Sequence, residues 1–139
     1  MRDPLLTLPG YVLRRAANAT GGELSARLAP LGLRQSIVSV LLLISENPGV
    51  TASAVGRQLD IQRANMAPLL KRLEDAGLIE RLPLDGKSLG LDLTDDGRDK
   101  LAKARAIVAE FEDELLQRIP PEHRDHLLPA LTALWRPAD

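Results

Sequence analysis

The stretch QRANMAPLLKRLEDAG, from Gln62 to Gly77, has the pattern of an amphipathic helix with a proline inside it. Its larger apolar residues follow the i, i+3, i+4, i+7 spacing that places side chains on one helical face: Met66, Leu69, Leu70 and Leu73. Pro68 falls on the opposite face, away from that stripe, but it has no N–H to donate to the Ala64 carbonyl. The stretch therefore predicts a helix that buries one face, bends at Pro68 and ends at Gly77.

A short helix and a tight turn come directly before this stretch. Thr51 is a suitable N-cap for a helix that ends near Leu59, and the Asp60-Ile61-Gln62 turn separates the two helices. Further upstream, the segment from about Arg34 to Glu46 is apolar around its whole circumference, which predicts a buried central helix. A first helix is expected from about Tyr11 to Leu28.

The hydrophobic period changes from 3.6 to 2 after Gly77. Residues Leu78 to Leu84 have the pattern of a strand, and Leu89 to Leu93 alternates strictly. The turn from Asp85 to Ser88 between them suits a β-hairpin.

Two more helices follow the predicted hairpin. Thr94 is placed to cap a helix from Asp95 to Arg118, which would be roughly 36 Å long and more than a small domain buries alone. A last helix opens at Pro121, and its apolar side comprises Leu127, Leu128, Leu131, Leu134 and Trp135.

The order of helix, short helix, turn, helix and hairpin predicts a winged helix-turn-helix. The fold class is therefore mainly α with a two-stranded β-wing. In a helix-turn-helix the second helix enters the major groove of DNA and contacts base edges with its N-terminal part. The stretch from Gln62 to Gly77 occupies that position.

The outward face of this helix carries groups that suit DNA. Gln62 and Asn65 can pair bidentately with adenine, and Arg63 with guanine. Ala64 and Ala67 are small enough to contact a thymine methyl group. The predicted DNA-contacting set is Thr51, Ser53, Gln62, Arg63, Ala64, Asn65, Ala67, Lys71, Arg72, Lys87 and Ser88.

Each of these assignments has a plainer alternative. Arg63 and Asn65 could be solvated surface residues, and Lys71 or Arg72 could pair with nearby acids instead of phosphates. Arg81 is expected to stabilise the wing or to pair with Asp85 rather than to contact a base, and Asp85 is expected to be structural.

Charge is distributed as a DNA-binding protein requires, although the net charge is only −1. Residues 57–72 contain four basic and one acidic side chain, a local charge of +3. Residues 95–126 contain six basic and nine acidic side chains, a local charge of −3. A local positive surface of this kind attracts the phosphate backbone even when the whole chain is nearly neutral.

Composition excludes several other classes of protein. The chain of 139 residues is 45% apolar, has no cysteine and has only 2% aromatic residues, so its core is aliphatic and it has neither disulfides nor thiolate metal sites. There is no signal peptide pattern and no apolar run long enough to span a bilayer, which predicts a soluble cytoplasmic protein.

His123 and His126 could supply two metal ligands, but surface positions are the simpler interpretation, and no metal or cofactor is predicted. No catalytic constellation is present, so an enzyme is not expected.

The run LLKRLEDAGLIERLPLDGKSLGLDLTDDG, residues 69–97, resembles the signature of the MarR (multiple antibiotic resistance regulator) family. The shared elements are a Leu-Glu-x-x-Gly turn, a strand with Arg81, a wing tip at residues 85–87 and a Leu-Thr-x-x-Gly start to a long helix. The resemblance implies a homodimeric transcription factor, most simply a repressor, that binds palindromic double-stranded DNA and is released by a small effector. It implies a single domain, 1–139, with a reading head at 34–93 and dimerisation helices at 1–33 and 94–139.

Two departures from the family pattern matter. The wing-tip arginine is Lys87 here, which keeps the charge but loses the planar guanidinium fork used in the minor groove. The NMAPLLKRLE form resembles the branch with organic-peroxide sensors, but their N-terminal sensing cysteine is absent. A ligand-responsive or constitutive repressor is therefore expected, and the effector-binding candidates are Tyr11, Arg14 and Arg15. The alternative function is a winged-helix module that binds protein without binding DNA specifically.

Overall fold

The computed structural model describes residues 1–86 and 88–136, which contain six α-helices and a two-stranded antiparallel sheet. The elements are α1 (Pro9–Leu28), α2 (Gln35–Glu46), α3 (Ala52–Leu59), α4 (Arg63–Asp75), β1 (Ile79–Pro83), β2 (Leu89–Leu93), α5 (Asp95–Arg118) and α6 (Arg124–Trp135). Short 3-10 turns lie at Pro4–Thr7, Ala29–Leu31 and Pro121–His123. The mainly α fold with a β-wing is confirmed.

The core is aliphatic and has α2 at its centre. Val40, Leu41 and Ile44 of α2 are completely buried, as the apolar circumference of this helix predicted. They pack with the inner faces of α3 and α4, with the sheet and with α5, in one continuous cluster. Phe111 is the one aromatic residue among the buried side chains of the described chain.

The turn between α3 and α4 is closed by backbone hydrogen bonds. Thr51 caps α3 by accepting from the Ala54 N–H at 3.2 Å. At the other end, Asp60 takes the left-handed conformation with φ +54°, which lets the Ile61 N–H donate to the Gly56 carbonyl at 2.8 Å. Aspartate tolerates this conformation better than most residues, so the turn forms without glycine.

Helix α4 buries the predicted stripe and ends in a Schellman motif. The Leu78 N–H donates to the Leu73 carbonyl at 3.0 Å, and the Gly77 N–H donates to the Glu74 carbonyl at 2.9 Å. Gly77 has φ +73°, which explains why a glycine stands there. The helix is continuous through Pro68, and the bend expected at that residue stays a prediction.

The wing is an antiparallel hairpin whose register pairs Ile79 with Leu93 and Pro83 with Leu89. Leu91 and Leu93 are buried, whereas Leu89 is exposed because it lies at the far end of the hairpin, away from the helices. The sheet also gains a bridge that the sequence did not predict, between Val50 and Leu91.

Thr94 and Gly97 join the start of α5 to the end of α4. The Thr94 hydroxyl accepts from the Gly97 N–H at 3.0 Å and donates to the Gly77 carbonyl at 2.5 Å. A methyl group on Gly97 would lie 2.0 Å from the Leu78 carbonyl oxygen, so only glycine fits this crossing. The bounds predicted for α5 are confirmed.

The two ends of the chain leave apolar side chains in solvent. Helix α1 begins at Pro9, two residues earlier than predicted, and the leucines around its start are exposed. The last helix begins as a 3-10 turn at Pro121 and becomes α-helical at Arg124. None of the residues of α6 is buried, and Leu128 and Trp135 are each 74% exposed.

Within the described residues, no helix by itself has the length and hydropathy to cross a membrane. The pair Pro9–Leu31 and Gln35–Glu46 meets both conditions only when the two are taken together, with a 73° bend between them.

Candidate nucleic-acid interface

Helix α4 presents its polar N-terminal face to solvent. The five predicted base-contacting residues are all exposed: Gln62, Arg63, Ala64, Asn65 and Ala67. Met66 points the other way and is 4% exposed, so burial of the apolar stripe fixes the rotation of the helix. The same burial keeps the polar side chains outside.

A concave surface that encloses a volume of about 870 Å³ lies between α3, the N-terminal half of α4 and the wing. Its lining includes Thr51, Ser53, Gln62, Arg63, Ala67 and Ser88, six residues that the sequence placed in the DNA-contacting set. Exposed Arg57 and the half-buried Ile61 also line it, and neither was in that set. Arg57 could have been found from the sequence, because it follows Ser53 by four residues and so shares its face of α3.

Thr51 and Ser53 meet at the N-terminus of α3. Their hydroxyl oxygens are 3.3 Å apart, and Thr51 also caps the helix. Ser53 is exposed, so its hydroxyl remains accessible at a helix end where backbone N–H groups favour anions.

The C-terminal half of α4 carries Lys71 and Arg72, and both are exposed. Lys71 Nζ lies 3.3 Å from Asp75 Oδ2, one helical turn further along. This is the acid-paired alternative for Lys71, but the pair is highly solvated, and such pairs contribute little to stability. Lys71 therefore remains able to exchange Asp75 for another anion.

Arg81 connects the wing to α4. Its Nε donates to Glu74 Oε1 at 2.7 Å, so the partner of Arg81 is Glu74 rather than Asp85. Asp85 is exposed in the turn of the hairpin. The turn is closed by the Leu84 N–H, which donates to the Ser88 carbonyl at 3.0 Å. Lys87, predicted to approach the minor groove, lies outside the described residues.

The three effector-binding candidates lie on α1, away from this concave surface. Tyr11 is half-buried, and Arg14 and Arg15 are exposed. The Arg15 guanidinium carbon lies 5.9 Å from the centre of the Tyr11 ring, in a cation–π arrangement.

Two ion pairs join α1 to α5, and each helix supplies one arginine and one glutamate. Glu23 pairs with Arg118 at 2.5 Å, and Arg27 pairs with Glu114. The hydrogen bonds from Arg118 hold the pKa of Glu23 below its ordinary value. The same kind of bond to Glu114 raises the pKa of Arg27 further above its already high value.

A helix-turn-helix whose second helix exposes polar groups beside a β-hairpin defines a winged helix-turn-helix protein. Residues 33–88 match the model of the MarR family. The chain is 33% identical over 119 residues to the HTH-type transcriptional repressor Rv2887 of Mycobacterium tuberculosis, covering 84% of this chain and 86% of the relative.

Solved structures agree with the sequence comparison. The transcriptional repressor CouR bound to a 23-mer DNA duplex is 36% identical, with a TM-score of 0.89 over 98% of this chain and 99% of that one. CouR bound to p-coumaroyl-CoA is 34% identical, with a TM-score of 0.86 over 99% of both chains. The chain belongs to the MarR family of transcriptional regulators.

Proposed function

We propose that this protein is a transcriptional repressor that binds a palindromic operator as a homodimer and is released by a small organic effector. The observation that carries the proposal is the exposed polar face of α4, which lies beside the wing in a fold that matches a DNA-bound repressor closely. Because the family consists of regulators, we propose no catalytic role. A protein that binds operator DNA works beside the chromosome, so we propose a cytoplasmic location.

The contacts divide into base-specific and phosphate contacts along α4. Gln62, Arg63 and Asn65 stand at the N-terminal end that a recognition helix inserts into the major groove, so we assign them to base edges. Lys71 and Arg72 lie two turns further on, where we assign them to phosphates. Ala64 and Ala67 leave room for close approach to the groove floor.

The α3 residues and the wing complete the proposed interface. Thr51 and Ser53 would donate to phosphate from the start of α3. Arg81 would hold the wing through Glu74, and Ser88 would contact the backbone of the adjacent minor groove together with Lys87.

The ends of the chain supply the proposed dimer interface. The leucines and the tryptophan of α6 form an apolar face that nothing in the described protomer covers. A second copy would bury this face together with the exposed start of α1, leaving residues 34–93 as the reading head.

An aromatic carboxylic acid or its coenzyme A thioester is the effector class we propose. CouR has been solved with p-coumaroyl-CoA and Rv2887 with salicylic acid, and both ligands contain an aromatic ring and an acyl carbon. Tyr11 offers a ring for stacking, while Arg14 and Arg15 offer charge for a carboxylate or phosphate.

Fluorescence anisotropy with the DNA upstream of the protein's own gene tests this function. Binding should be specific and should weaken as salt rises, because contacts to phosphates release counterions. Addition of p-coumaroyl-CoA or salicylate should release the DNA. Absence of binding at low salt would instead support the protein-interaction module.

A further inference from the structure

The connection between α5 and α6 is an unusual helix end. Helix α5 ends at Arg118, and its last carbonyls need hydrogen-bond donors from outside the helix. The usual donors are the backbone N–H groups of the second and third residues after the helix, but here these are Pro120 and Pro121. Proline has no N–H, so neither residue can close the helix end.

The Ile119 N–H donates to the Leu116 carbonyl at 3.0 Å, and Arg124 supplies further donors from the first turn of α6. Its Nε lies 2.9 Å from the carbonyl oxygens of both Leu116 and Ile119, and its Nη2 lies 3.3 Å from that of Gln117. The guanidinium charge also lies at the negative end of the α5 dipole. One side chain therefore joins the two helices through three carbonyls.

Few other contacts fix the direction of α6. None of its residues is buried, and its principal neighbour in the described protomer is the 3-10 turn Pro121–His123 that leads into it. The two prolines fix their own φ angles in the connection between α5 and α6, which we call the elbow, but leave the other torsion angles of the connection free. Among the described residues, the hydrogen bonds of Arg124 are the only side-chain hydrogen bonds that join α6 to the end of α5, and we call them the Arg124 clamp.

We infer that Arg124 is a positioning residue that holds α6 in the direction needed for dimerisation, and so sets the distance between the two recognition helices on DNA. This inference rests on the proposed homodimer. A free α6 would lose orientational entropy on each association, so a clamp made before association lowers the cost of forming the dimer. It would also restrict the dimer to operators of one half-site spacing, because the spacing mirrors the geometry of the protein dimer.

The test uses Arg124→Ala, Arg124→Lys and the matched control Arg105→Ala in the full chain. Arg105 is also an exposed arginine, pairing with Glu46 at 2.7 Å far from the elbow. Sedimentation equilibrium gives the dimer dissociation constant, and anisotropy with operators lengthened or shortened by one base pair gives the spacing preference. Circular dichroism checks that every variant is folded.

We expect Arg124→Ala to raise the dimer dissociation constant about tenfold or more and to flatten the spacing preference. Arg124→Lys should lie between it and the wild type, because an ammonium group keeps the charge but cannot reach three carbonyls as a guanidinium does. Arg105→Ala should match the wild type.

A wild-type dimer whose dissociation constant and spacing preference survive Arg124→Ala overturns this inference and leaves the repressor function intact. A wild type that is monomeric overturns the proposed homodimer, and the role of Arg124 with it. Equal losses in Arg124→Ala and Arg105→Ala would show a general effect of removing charge and also overturn the inference.

Discussion

Arg81 of the wing and Glu74 of the recognition helix are joined by a hydrogen-bonded ion pair of 2.7 Å. Both side chains are about one-third exposed, at 37% and 34%, so water screens the pair only in part. The pair links two elements that, in the proposed function, reach adjacent grooves of DNA at the same time. Its value therefore lies in orientation more than in stability.

Arg81→Ala should lower the free energy of unfolding by less than about 1 kcal/mol, as expected of a partly exposed pair. It should nevertheless weaken operator binding, because the wing loses its connection to α4. Glu74→Gln should have a smaller effect on binding, since its amide oxygen can still accept from Arg81. Urea denaturation and anisotropy measure the two quantities. A large loss of stability without loss of binding would contradict this division.

Arg63→Ala and Asn65→Ala should weaken binding to the operator much more than binding to random DNA. Each removes groups assigned to base edges, and a good bidentate base contact contributes about 1–3 kcal/mol of discrimination. Lys71→Ala should weaken both kinds of binding and reduce the slope of affinity against salt. Titrations of each variant with both DNAs at several salt concentrations distinguish base contacts from phosphate contacts. Equal losses on operator and random DNA for all three variants would refute the assignment.

Asp75→Asn should strengthen DNA binding at low salt. The change frees Lys71 from the 3.3 Å pair and removes a negative charge beside the proposed phosphate contacts. The gain should fade as salt rises, since exposed charges are screened over about 10 Å at 0.1 M. Asp113→Asn, an exposed change on α5, is the control for net charge and should leave affinity nearly unaltered. If Asp75→Asn leaves the DNA affinity at low salt unchanged, Asp75 does not weaken the contact of Lys71 with phosphate, and the prediction is wrong.

Gly97→Ala should destabilise the fold by more than the about 0.5–3 kcal/mol of an ordinary substitution, because its methyl group would collide with backbone. The Leu78 carbonyl oxygen stands 2.0 Å from that methyl position, and it cannot rotate away as a side chain could. Gly22→Ala is the matched control, since a methyl there meets nothing within 4 Å inside the protomer. It should stabilise α1 by about 0.5–1 kcal/mol by reducing the entropy lost on folding. Thermal unfolding of both variants provides the test, and similar Tm values for the two would contradict it.

Acid should remove the contribution of the Glu23–Arg118 pair. Arg118 lowers the pKa of Glu23 in the folded protein, so the folded state binds this proton less readily than the unfolded state. The stabilisation is therefore complete above the unfolded pKa of about 4.3 and is lost as pH falls through the lower folded pKa. Glu23→Gln should have a lower Tm than the wild type at neutral pH, and the difference should disappear in acid. A difference that is the same in acid as at neutral pH would show that the pKa shift is not its cause.

Local sequence patterns were sufficient for most of the helices. The buried stripe of α4, the Thr51 and Thr94 caps, and the bounds of α5 follow from spacing and capping that act within a few residues. Helix α1 continues through Gly21 and Gly22, although glycine is a poor helix former, because neighbouring turns propagate the helix. The bridge from Val50 to Leu91 could not be anticipated, since it joins residues 41 positions apart in sequence.

The candidate interface shows the same division between what local sequence patterns predict and what only long-range contacts decide. The sequence alone determined which residues of α4 face outward, because the 3.6-residue period fixes the face as soon as the apolar stripe is buried. Only the tertiary structure decided the partners of two arginines: Glu74 for Arg81, and three carbonyls for Arg124. Such pairings depend on how elements cross in space, and a periodic pattern carries no information on which of several nearby charges a long side chain will reach.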